Sequence, residues 1–182
     1  TIYRNWIDFD SNSIGIVSSF VTPQQDLAIL YRRYNSLDSQ WTDALALLDS
    51  NLNVKWVHSI PNTTPTIQTQ YPYKTQCVLR NDNTFLVIKH RDTEQFISRT
   101  LLLHHIDING NLIKVDSLQL RPPEGAFSKN LVLVSVVTTF DNGIFLTLNS
   151  SWDVYTSSPY LIKTDSNLQL PHRLNTGMGS SM

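Results

Sequence analysis

The chain has 182 residues with 14 basic and 15 acidic side chains, and a net charge of −1 gives no electrostatic reason to expect nucleic acid or an anionic membrane as partner. Charged residues make up 16%, below the roughly 25% of an average soluble domain, while 41% are hydrophobic, which excludes a disordered chain. No apolar run reaches the ~20 residues needed to span a bilayer. The single cysteine, Cys77, excludes an internal disulfide and reads as a small buried apolar residue.

The chain opens on Thr1 rather than Met, so the expectation is a processed start or an excerpt of something longer. Tyr3 to Phe9 is a short aromatic and β-branched run, read as the last strand of a preceding unit because Asn5-Trp6-Ile7 resembles Lys55-Trp56-Val57. Four strands follow at Ile14 to Ser19, Asp26 to Tyr34, Asp43 to Leu48 and Leu52 to Ser59. Four more are expected at Thr75 to Arg80, Thr84 to His90, Ser98 to Ile106 and Asn111 to Gln119. The last four are expected at Leu131 to Thr139, Ile144 to Asn149, Pro159 to Thr164 and Leu168 to Arg173. Val, Ile, Leu, Thr and Phe dominate these runs, and Asp, Asn, Gly and Ser clusters bound them. No 3.6-residue period is sustained beyond about ten residues, so no helix is expected.

One phrase recurs. Asp49-Ser50-Asn51-Leu52-Asn53, Asp107-Ile108-Asn109-Gly110-Asn111 and Asp165-Ser166-Asn167-Leu168-Gln169 sit 58 residues apart. A fixed period of this size marks a repeat architecture. The resulting division is 1–12 as the end of a preceding unit, 13–60, 61–119 and 120–174 as three units, and 175–182 as a tail or the start of another. The phrase reads as a tight hairpin turn between third and fourth strands. Between first and second strands, Val21-Thr22-Pro23-Gln24-Gln25, Asn81-Asp82-Asn83 and Asp141-Asn142-Gly143 read the same way. The connections between second and third strands are longer, roughly eight residues each, as are the links at Ile60 to Lys74 and Leu120 to Asn130. In an antiparallel meander these long connections all fall at one end and the tight turns at the other, and long loops on a rigid scaffold are the usual place for function.

Four short strands per unit, with Asp49 to Trp56 bridging the last two, resemble the blade of a secreted bacterial β-propeller repeat. In that repeat the third turn reads approximately Asp-Ser-Asn-Gly-Asn, followed by two apolar positions and Trp. Leu52 replaces the glycine in the first copy. The second copy keeps Gly110 and loses the tryptophan, and the third keeps little beyond the turn. The resemblance implies an all-β fold of four-stranded antiparallel blades, with about three present, hence a partial propeller whose remaining blades lie elsewhere. It also implies an extracellular, cell-surface or periplasmic location, and it says nearly nothing about activity. The low charge and abundant Asn, Ser and Thr agree with export.

Candidate chemistry is thin. His90-Arg91-Asp92 imitates a kinase catalytic loop, but no glycine-rich loop or downstream Asn accompanies it. His104 and His105 are neighbours on a strand, so they face opposite ways and cannot chelate one ion together. His58, His90 and His172 lack ligand spacing. The Asp-x-Asn turns lack the successive carboxylates of a calcium loop. No metal and no cofactor is expected. A glycosidase needs two positioned carboxylates, and the first strands carry no Asp or Glu. Asn62-Thr63-Thr64 and Asn149-Ser150-Ser151 fit the glycosylation pattern, a weak signal. The long-loop face should carry Trp41, Tyr71, Tyr73, Arg91, Phe96, Trp152 and Tyr155, with Asp92, Glu94, Asp153, Glu124 and Phe127 around them. Aromatics with Arg suit partner binding, and aromatic faces also stack on sugars.

The expectation is therefore a non-enzymatic exported or cell-surface protein that binds protein or glycan through that face. Two alternatives stay open. One is a structural subunit of a surface or secretion assembly. The other is part of a propeller hydrolase or lyase whose acids lie in absent blades.

Overall fold

The computed structural model describes residues 14–35, 40–61, 75–90, 100–120, 130–151, 157–169 and 172–174. They form twelve strands: β1 (Ile14–Val21), β2 (Leu27–Asn35), β3 (Gln40–Leu48), β4 (Val54–Ile60), β5 (Gln76–Leu79), β6 (Phe85–His90), β7 (Thr100–Ile106), β8 (Leu112–Gln119), β9 (Asn130–Thr138), β10 (Ile144–Ser151), β11 (Ser157–Lys163) and β12 (His172–Leu174). No helix occurs among the described residues. The strands make three four-stranded sheets, each running in sequence order and antiparallel throughout: β1 to β4, β5 to β8 and β9 to β12. The all-β, four-stranded antiparallel organisation expected from the sequence is present. The Tyr3 to Phe9 strand and the segments 1–12 and 175–182 lie outside the described residues, Leu174 being the last described.

Strand bounds differ from expectation by more than two residues in two places. β2 and β3 pair as far as Asn35 with Gln40, which shortens their connection to residues 36–39 and brings Trp41 into β3 opposite Tyr34. β12 is only three residues, His172–Leu174, where a run from Leu168 was expected. Leu168 is instead held in the preceding turn by its amide, which donates to the Asp165 carbonyl at 3.0 Å.

The tight turns share one construction. In each, a residue with φ between 60° and 87° closes the loop: Gln25, Leu52, Asn83, Gly110, Asn142 and Leu168. In the β3–β4 turn the Leu52 amide donates to the Asp49 carbonyl and the Asp49 amide to the Asn53 carbonyl, each at 2.9 Å. This is the type I turn plus left-handed residue that suits a short hairpin. Leu52 and Leu168 thus stand in a conformation that costs a non-glycine side chain about 1–2 kcal/mol. Burial offsets it: Leu168 belongs to the core of the second unit and Leu52 packs against that of the first.

Bulges recur too, those of β4 and β8 one repeat apart. β4 carries one extra residue at Lys55 and β8 one at Ile113; β1 has its extra residue at Val17 and β9 at Val134. Such bulges bend a strand and raise its local twist.

The chain divides into two compact units, residues 1–68 with 109–111, and residues 69–108 with 112–182. In the first unit, Ile29, Tyr31, Ala44, Ala46 and Leu48 bury one face of β2 and β3, while Ala28, Leu30, Leu45 and Leu47 bury the other. Arg32 grips Asp43 from the paired position, Nε to Oδ1 at 2.8 Å. The indole of Trp56 packs on Gly110, where an added Cβ would come within 2.6 Å of it, and His58 Nδ1 lies 3.0 Å from the Gly110 carbonyl.

The second unit contains two sheets packed face to face. Leu86, Ile88, Leu101, Leu103, Leu118 and Leu120 of one meet Leu133, Val136, Ile144, Leu146, Leu148 and Leu168 of the other. A sheet with apolar residues on a face must cover that face, and a second sheet of the same kind does so here. Burying each such side chain contributes about 1.5–3 kcal/mol.

Candidate functional site

Each sheet is a meander, so its ends differ in chemistry. At one end stand the five-residue turns 22–26, 49–53, 80–84, 107–111 and 139–143, with 165–169 closing the last sheet. From the other end depart the segments 36–39, 91–99 and 152–156, and the longer links 61–75 and 120–129. By position in the chain, the binding residues expected from the sequence fall in or beside these segments. Tyr71, Tyr73, Arg91, Phe96, Trp152 and Tyr155 lie outside the described residues, as do Asp92, Glu94, Glu124, Phe127 and Asp153. Trp41 is placed only by its backbone, one residue into β3 from its departing end.

The tight-turn end is described in full. Aspartate carboxylates organise it by accepting hydrogen bonds from their own loops. Asp49 Oδ1 accepts from the amides of Asn51 at 2.9 Å and Asn53 at 2.8 Å, and Oδ2 from the Asn53 side chain at 3.0 Å. Asp165 Oδ1 accepts from Asn167 and Gln169 at 3.0 and 2.8 Å. The Asn53 side chain, then its amide, hold the Asp49 carboxyl below its usual range. At Asp141 the Thr139 hydroxyl acts the same way, followed by Lys163, whose Nζ is 3.2 Å away. Burial pushes Asp82 up, but hydrogen bonds from Thr84 and from Asn142 outweigh it and leave the carboxyl low. These carboxylates are spent on backbone amides, which fits turn formation. Among the described residues, no three His, Cys, Asp or Glu side chains gather to hold a metal ion.

Sequence reasoning missed Arg80. It sits at the end of the expected fifth strand, and the structure buries it between the two sheets of the second unit. One terminal nitrogen donates to the carbonyl of Asn142 at 3.0 Å and to that of Ser166 at 2.9 Å. A single guanidinium thus gathers both tight turns of the neighbouring sheet, with Asp82 3.7 Å away. Around it, the Asn81 amide donates to Asn142 Oδ1 at 3.0 Å, and Asn142 Nδ2 donates to Asp82 Oδ2 at 2.9 Å. Further along, where the β9 bulge interrupts the ladder, Gln76 Nε2 donates to the Val134 carbonyl at 3.4 Å. There too the Leu133 amide donates to His90 Nε2 at 3.2 Å. The only sequence signal was spacing: Gln76 and Val134 stand one repeat apart.

The histidine pair behaves as its strand position requires. His104 faces the side of Val87 and Val115, and His105 the side of Leu86 and Lys114. Both are buried. Burial lowers the His105 pKa, with Lys114 assisting and Asp116 opposing. Asp116 Oδ2 lies 3.1 Å from His105 Nε2 but out of hydrogen-bond alignment, while Lys114 Nζ takes the same oxygen at 2.7 Å. His105 is accordingly neutral at pH 7 and this is no charged pair there. Cys77 is buried, and burial pushes its thiol far up, so it is no nucleophile. The strands β1, β5 and β9 carry no carboxylate.

No protein-family model matches this chain, and no curated protein sequence matches it.

Proposed function

We propose that this chain is a set of propeller blades, exported or displayed on a cell surface, that binds protein or glycan without catalysis. Binding would take place at the end from which the long connections leave. The observation that carries the reading is the asymmetry of the sheets. The described end is closed by six short turns, and in four of them the carboxylate (Asp49, Asp82, Asp141 or Asp165) accepts from amides of its own loop. The opposite end holds the strand termini from which an aromatic- and arginine-bearing set departs: Trp41, Tyr71, Tyr73, Arg91, Phe96, Trp152 and Tyr155. Such sets suit partner hot spots and sugar stacking. A buried thiol and first strands without acids favour binding over hydrolysis.

The test is a glycan array and a cell-envelope-fragment surface, each probed with the wild-type chain and with W41A/F96A/W152A. Binding lost in the triple variant, with an unchanged melting temperature, supports the reading. Binding that survives it, or occurs through the tight-turn end, overturns it.

A further inference from the structure

The packed sheets of the second unit define how one repeat accepts the next, and the third sheet presents the same accepting face uncovered. Aligning the turns at Thr84 and Gly143 makes Leu86 equivalent to Phe145 and Ile88 to Thr147. Strand pairing then makes Val78 equivalent to Val137, opposite Leu86 and Phe145 respectively, and Leu103 to Leu161. In the second sheet these four positions support the third: Leu86, Ile88 and Leu103 are fully buried and Val78 is packed against them. In the third sheet the same positions stay open, with Val137 55% exposed and Phe145, Thr147 and Leu161 half-buried. The turn repeats the contrast. Asn81 touches the neighbouring turn through its amide and its side chain, the latter donating to the Phe140 carbonyl at 3.3 Å. Its counterpart Phe140 is 102% exposed.

We infer that the face formed by Val137, Phe140, Phe145 and Leu161 is a docking surface for a further four-stranded sheet of this same repeat. Its occupant carries an aliphatic face like that of Ile144, Leu146 and Leu148. A large exposed phenylalanine beside an exposed valine is what a covered position looks like without its cover. The contact differs from the one it copies. Thr139 stands where Arg80 stands and hydrogen-bonds Asp141, so this junction relies on apolar area at Phe140 in place of the arginine clamp. The inference concerns the side of a sheet, and it holds whether or not the long-loop end binds a ligand.

The test inserts a second copy of residues 120–174 after Leu174 in the full chain, joined as the second sheet joins the third. Thiols introduced by V137C and, separately, F140C report coverage, since Cys77 is buried and reacts slowly. Phe140 is exposed enough that its substitution leaves folding intact. Maleimide labelling at both positions is expected to slow at least tenfold in the extended chain. Unchanged labelling overturns the inference. So does an added copy that contributes no β-structure by circular dichroism, because the face then fails to accept its own repeat. Concentration-dependent protection in the unextended chain, with dimers in sedimentation, also overturns it by showing that a second copy is the occupant.

Discussion

Gly143 and Gly110 are glycines for different reasons, and both are sensitive positions. Gly143 has no positive φ; Asn142 before it takes that role. A Cβ at 143 would lie 2.3 Å from the Thr164 carbonyl, where the chain of the next turn crosses. G143A should therefore cost about 1–3 kcal/mol in a urea melt, as overpacking does. Gly110 combines φ +87° with the Trp56 contact, and G110A should cost a similar amount. Arg80 tests the clamp. R80M leaves two carbonyls without their charged donor and should cost about 2–4 kcal/mol. R80K should recover only part of this, because an ammonium can also donate twice but is more strongly hydrated and so costs more to bury. Some of this residue-level detail was legible beforehand. The Asx turns follow from side chains that bond their own backbone. The left-handed leucines do not, since nothing in a leucine announces φ of 61–66°; only its place in a glycine slot of the repeat hinted at it. Arg80 was illegible because its partners lie 62 and 86 residues away.

Elements were easier to read than their ends. Runs rich in Val, Ile, Leu, Thr and Phe, bounded by Asp, Asn, Gly and Ser, located all twelve strands. Ends were less certain where pairing extended past the apolar run, as at Asn35 with Gln40. The bulges at Lys55 and Ile113 escaped notice, since a bulge inserts a residue without changing composition. The second unit's core gives the sharpest element-scale contrast. L146A, in the middle of β10 and fully buried, should cost about 2–5 kcal/mol. V137A, on the paired strand but facing away, should stay within about 0.5 kcal/mol. Equal losses at the two positions in thermal melts would show that the outer face of the third sheet is covered after all. The candidate binding end was legible only as a location, because its residues follow strand termini whose order is fixed by the meander.

For the whole molecule, the ionisable groups set an acid limit in two stages. His105 has a folded pKa below its unfolded value of about 6.5. Its contribution is fully present above that value and is lost as pH falls through the folded pKa. Asp49, Asp82, Asp116 and Asp141 likewise have depressed pKa values. Their contribution is present above the unfolded value of about 3.9 and is lost below it. Stability measured by urea midpoints should therefore be flat above pH 7, decline gently as pH falls below about 6.5, and fall steeply below about 4. H105Q should flatten the first decline and leave the second. A repeat protein with shared turn chemistry is expected to show such a stepwise dependence, because the same aspartate device is used in every sheet.

The β9 bulge carries a consequence for how this unit moves. The Leu133 amide leaves its own ladder and is held by an imidazole of the adjacent sheet. Amides inside a sheet exchange with solvent when strands fray; this one exchanges when the two sheets part. Hydrogen exchange at Leu133, compared with the core of β10, therefore separates two kinds of opening that most probes merge. H90F takes away the acceptor, so it should accelerate exchange at Leu133 more than at its strand neighbours. One backbone proton thus serves as a gauge of the joint between repeats.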